Sequence, residues 1–155
     1  TSVAEAIMYE HLLVPVDGSE LSHKAMDHAV GLAKMLGASI TGFTAEPPLP
    51  LLVVEQAAVA YDVATFQEHE KRCEAHAREV LLGFGAKAQA AGVHFDGQFV
   101  ITDDVQQAIV DMAERQRCDL IVMATHGRHG LDALIHGSLT KSVLAHSRVP
   151  LLVVH

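Results

Sequence analysis

The chain has 155 residues, half of them apolar and 19% charged, the composition of an ordinary globular domain able to bury roughly 70% of its unfolded surface. Lys and Arg number 11 against 19 Asp and Glu, a net charge of −8, which excludes a general basic surface for nucleic acid but leaves a single positive cleft open. Cys73 and Cys118 stand in no disulfide or zinc spacing, no apolar run reaches the roughly eighteen residues that span a bilayer, and the start lacks the basic and apolar regions of a secretion signal. The cytoplasm is the default compartment.

Residues 1–7 carry little pattern and read as a short leader or remnant, and residues 8–155 read as one domain without repeat, low-complexity tract or linker. His11 to Val16 is an apolar run ending Val14-Pro15-Val16, which predicts a first strand. Asp17-Gly18-Ser19 turns the chain, and Ser19 or Ser22 is the expected N-cap of a helix reaching about Leu36. Leu21, Ala25, Ala29, Leu32, Ala33 and Leu36 fall on one face of that helix, and Gly37 sits at its C-cap. Ser39 to Ala45 predicts a second strand, stopped by Pro47-Pro48.

Pro47 to about Ala60, with Leu49, Leu51, Leu52, Val53 and Val54, is read as a packed loop ahead of a lid or a partner contact. Asp62 to Ala91 reads as one long helix. Glu68, Lys71, Glu74, Arg78 and Glu79 make its solvated face, and Phe66, Cys73, Ala77, Val80 and Leu81 its apolar stripe, with Gly83 and Gly85 weakening the end. Gly92 closes it, and Val93 to Ile101 makes the next strand. Asp103 followed by Gln106 fits a capping box for a helix through Arg115 that buries Val105, Ala108, Ile109, Met112 and Ala113.

Leu120 to Met123 then reads as a strand buried on both faces. Ala124 to Gly130 is small and polar, so backbone can approach a bound group closely. Gly137-Ser138 stands ahead of a helix from about Ser138 to His146, where unpaired amides favour phosphate. Val149 to Val154 is the final strand. Five strands alternating with four helices imply right-handed crossovers and an α/β fold, an open, doubly wound parallel sheet with helices on both faces.

Ala124, Gly127, Gly137 and Ser138 carry a resemblance. Their spacing is similar to the nucleotide loop of the universal stress protein family, G-x2-G-x9-G-[S/T], with Ala124 in place of the first glycine. Taken alone, the glycines equally permit a tight strand-to-helix connection; the flanking strand and helix make the match more specific. The resemblance spans Met8 to the end and implies strand order 3-2-1-4-5. In that order the loops after Asp17 and after Met123 flank the switch point, where α/β sheets bind ligands.

The resemblance further implies that Asp17, otherwise an ordinary turn aspartate, holds the ribose hydroxyls or a metal near the phosphates. Ala45, at the end of the second strand, would lie against the adenine. Pro15, Val16, Met123 and Leu139 would supply apolar walls and backbone contacts to the nucleoside, and Gly127, Gly137 and Ser138 would hold the phosphates. Arg128 could clamp the terminal phosphate. The implied ligand is ATP, AMP or ADP, with room for a Mg²⁺ carried in by ATP. The Ala124 methyl is expected to crowd the pocket and lower affinity, with added strain if φ there is positive.

The implied role is stress-responsive regulation by a dimer. The apolar final strand, Val149 to Val154, is an edge that a two-fold mate would cover. Rival readings are a nucleotide-free interaction module of the same fold and a slow ATP hydrolase. No P-loop, dinucleotide fingerprint or nucleophile elbow occurs, and no catalytic residue is assigned. Eleven histidines raise a metal reading for His126, His129 and His136, and for His69 with His76, but no ligand quartet has zinc spacing.

Overall fold

A computed structural model describes residues 8–125 and 132–155, with side chains for all of these except 132–138. The expected leader therefore lies outside the described residues. Strand β1 (His11–Pro15) is the centre of the molecule. Its alternating side chains feed two cores: Leu12 and Val14 pack on one face of the sheet, and Leu13 on the other. All three have no exposed surface, as expected for a strand covered by helices on both sides.

Helix α1 (Glu20–Leu36) starts where Ser19 accepts a hydrogen bond from the Ser22 amide. It ends at Gly37, whose φ of 68° gives the left-handed cap that side chains disfavour. Ser22, Ala25, Met26, Ala29 and Ala33 are its buried residues; Leu32 and Leu36 of the expected face are only partly buried. Strand β2 (Ser39–Glu46) follows, pairing with β1 on one side.

The segment expected to be a packed loop is a β-hairpin, β3 (Leu52–Val54) against β4 (Ala57–Val59), with every residue from 51 to 60 exposed. Glu55 and Gln56 form its two-residue turn with φ of 51° and 65°. Positive φ at both central residues is the turn geometry that matches strand twist. Because neither residue is glycine or asparagine, the sequence gives no turn signal.

Helix α2 (Val63–Ala90) is capped by Asp62, which accepts from the Thr65 amide at 2.8 Å. Its buried residues are Cys73, Ala77, Leu81, Phe84 and Ala88; Phe66, expected on the stripe, is 49% exposed. The helix passes through Gly83 and Gly85 unbroken. Val93, expected to open the next strand, instead donates its amide to Ala88 as part of the helix exit. Strand β5 (Phe95–Ile101) then pairs with β2. Helix α3 (Val105–Arg115) is capped by Asp104, accepting from the Gln107 amide, one residue later than the expected box at Asp103.

Strand β6 (Leu120–Ala124) pairs with β1, and β7 (Leu151–Val154) pairs with β6. The parallel sheet reads β5-β2-β1-β6-β7, which is 3-2-1-4-5 when only its own strands are counted. Helices α1 and α2 cover one face, and α3 the other together with α4 (Asp132–His146). Helix α4 begins six residues before the expected start at Ser138. A lone glycine costs about 1 kcal/mol in a helix, too little for Gly137 to stop one already running from Asp132.

Candidate functional site

The strand order reverses between β1 and β6, and their C-terminal ends part there. A cavity of about 270 Å³ occupies this gap on the α3/α4 side. Of the expected site residues, Pro15, Val16, Asp17, Ala45, Met123, Ala124 and Leu139 all line it. They come from β1 and its following loop, β2, β6 and α4, so only the folded sheet brings them together. The rest of the wall is Ser19, Leu21 and Ser22 from the start of α1, Phe43 from β2, and Val105 and Ile109 from α3. Phe43 was legible in principle, two residues before Ala45 and so on the same strand face. Val105 and Ile109, four apart on one helix, carry no signal beyond core.

The walls are mostly apolar, with Asp17, Ser19 and Ser22 as the polar residues among them. Asp17 accepts the Ser19 amide at 2.9 Å, which stiffens the turn leaving β1. Ser22 donates its hydroxyl to the Ser19 carbonyl. Ala124 is the last residue of β6 and is not among the positive-φ residues. The strain expected there does not arise, and only the space its methyl takes is left to affect a ligand.

Gly127 and Arg128 lie outside the described residues. Gly137 and Ser138 lie inside α4. The helix start expected at that pair is at Asp132 instead. His126 and His129 are likewise outside the described residues, and His136 is a position in α4.

The other face of the β2 end is polar. Glu46 is 8% exposed and accepts from Nδ1 of His76 on α2. The hydrogen bond from Glu46, and then its charge, raise the His76 pKa above the ordinary 6.5. His69 meets the Pro47 carbonyl at 2.9 Å and the Cys73 sulfur at 3.4 Å. Each imidazole thus has a structural partner, and no three His, Cys, Asp or Glu among the described residues are placed to share a metal ion. Burial pushes the Cys118 thiol up to about 11 and raises Cys73 as well. A larger cleft, about 750 Å³, runs between α2 and β5. It is open and gathers none of the expected residues, so its size does not make it the better candidate.

A model of the universal stress protein family matches residues 8–155. A putative universal stress protein of Staphylococcus aureus is 30% identical over 152 residues, covering 96% of this chain and 85% of that one. A universal stress protein crystallised in complex with cAMP superposes with a TM-score of 0.71 at 25% identity, covering 95% of this chain and 97% of that one. A universal stress protein of Lactobacillus plantarum shares the fold, with a TM-score of 0.76 at 21% identity over 96% of this chain and 99% of that one. With its family model spanning all but the first seven residues, and its sheet order and crevice in place, the chain belongs to the universal stress protein family.

Proposed function

We propose that this protein binds an adenine nucleotide (ATP, ADP or AMP) at the β1/β6 crevice and acts as a cytoplasmic, homodimeric regulator of a stress response. The observation that carries the reading is the convergence of seven expected residues from separate elements on one cavity at the switch point. Its volume of about 270 Å³ suits a nucleoside and falls just below the range of about 300 Å³ upward typical for ligand pockets. The phosphates would therefore lie outside it, toward the segment after Ala124 that holds Gly127 and Arg128. The cAMP complex of the 25% identical relative supports the same ligand class.

In this reading the base packs between Ala45, Phe43 and Ile109, and Asp17 accepts from the ribose hydroxyls. Mg²⁺ would arrive on the phosphates of ATP, since it needs few protein ligands. The dimer would form through β7, which lies at the end of the sheet with Leu152 39% exposed. No described helix is long and apolar enough to cross a membrane.

Calorimetric titration with ATP, ADP and AMP tests the proposal, with phosphate release followed over hours in the same samples. Saturable binding of one nucleotide without turnover is the expected result. No heat and no thermal shift with any of the three would refute it, and sustained phosphate release would replace the regulator with a hydrolase.

A further inference from the structure

The β3–β4 hairpin is the most unusual surface of the molecule. Leu51, Leu52, Val53, Val54 and Val59, with Val63 and Phe66 at its foot, are each between 40% and 78% exposed. Together they present on the order of 600 Å² of apolar surface, the upper end of what a monomer leaves uncovered and most of the roughly 800 Å² per partner in a standard interface. A two-stranded hairpin is marginal on its own in water. This one is nevertheless held in shape by Pro47, Pro48 and Pro50 on its stem and by the Tyr61 hydroxyl donating to the Pro50 carbonyl at 2.6 Å. It is a stiff apolar arm.

We infer that the arm is an interface between two copies of this chain, hairpin against hairpin across a two-fold axis. Charge decides the occupant. From residue 47 to residue 70 the chain has no Lys or Arg, while Glu55, Asp62, Glu68 and Glu70 are acidic, so an anionic lipid surface would repel the arm. The strands carry no charge, and the one charge within the hairpin, Glu55, sits at its turn. Antiparallel pairing of a hairpin edge with its two-fold copy puts the two turns at opposite ends. No like charges then face each other, and one unguarded edge strand of each copy gains a partner. This interface is separate from the one proposed for β7, at the far end of the main sheet.

Sedimentation of the full chain over a wide concentration range tests the inference, with Val53→Lys combined with Val59→Lys against the parent. These side chains point into solvent, so nucleotide affinity, and the thermal midpoint at concentrations where the parent is dissociated, should stay at parent values. One step of self-association should weaken about a hundredfold or more. Leu152→Lys, on β7, should leave that step in place. As a second readout, Ala58→Cys should cross-link two chains on diamide oxidation, since Cys73 and Cys118 are buried. A parent of single-chain mass at every concentration overturns the inference, as does a double-lysine variant that associates like the parent. Association lost in Leu152→Lys alone also overturns it while upholding the β7 dimer; none of these results bears on nucleotide binding.

Discussion

Ala45→Leu is the sharpest probe of the crevice. Ala45 shares a strand face with Phe43 and lines the cavity, so a longer side chain grows into the empty volume. The change adds three carbons, about 90 Å³ if each takes the roughly 30 Å³ share of a water molecule. That is a third of the 270 Å³ available. A purine then no longer fits, and affinity should fall about a hundredfold, or about 2.7 kcal/mol. The fold itself should lose less than about 1.5 kcal/mol, because the new atoms enter a void. Thermal melts with ligand read the difference. At a nucleotide concentration of about 100 times the parent Kd, the parent gains about 2.7 kcal/mol, which for a chain of this size raises Tm by about 5–10 °C. The variant, then near its own Kd, gains about 0.4 kcal/mol and about 1 °C. If Ala45→Leu keeps the parent's full shift, the nucleotide does not sit in this cavity.

Other substitutions check the remaining steps. Ala124→Gly removes the only methyl at the departing motif position and should raise ATP affinity by up to about fivefold, read by titration; a lower affinity would refute crowding. The Glu46–His76 pair should stabilise the fold most below pH 6.5, the ordinary imidazole value, and lose its effect as pH rises through the raised folded value. His76→Gln should therefore cost up to about 1 kcal/mol at pH 5.5–6, little because the imidazole is half exposed, and almost nothing near pH 8; urea melts at a series of pH values follow it, and a cost that grows with pH would contradict the pairing. Cys118, at about 11, is about 0.1% thiolate at pH 8, so it should react with a disulfide reagent only on unfolding. Gly42→Ala would place a Cβ 2.5 Å and 2.8 Å from the Phe95 ring and should cost about 1–3 kcal/mol, whereas Gly83→Ala, with nothing within 4 Å, should stabilise α2 by about 0.5–1 kcal/mol.

The strand ends around the crevice could be read before the fold was known, and what could not be read has physical causes. Pro15, Val16, Asp17, Met123 and Ala124 stand where apolar runs stop and turn residues begin, which marks the loops at the switch point, but their places around a nucleotide came from the family resemblance. Ala45 and Leu139 depended on the family resemblance, since nothing in an alanine or a helical leucine distinguishes a pocket wall from a core. The Gly137-Ser138 helix start misled because a glycine's cost is small against the rest of α4. The 51–59 run misled differently: apolar side chains state a preference for burial, and the described residues leave that preference unmet, with this run exposed. Phe66 failed for the same reason, lying at the foot of that arm.

Alternation of apolar runs with helical periodicity determined the class of this protein by itself, because covering both faces of a parallel sheet requires that pattern. Caps at Ser19 and Gly37 were equally local, one a side chain and one a missing side chain serving the backbone beside it. Only the tertiary structure decided that the ends of β1, β2 and β6 and the helices α1, α3 and α4 leave a cavity where these six elements meet, and that a hydrophobic hairpin stands exposed after β2. Those depend on contacts between residues far apart in the chain, which local propensity does not encode.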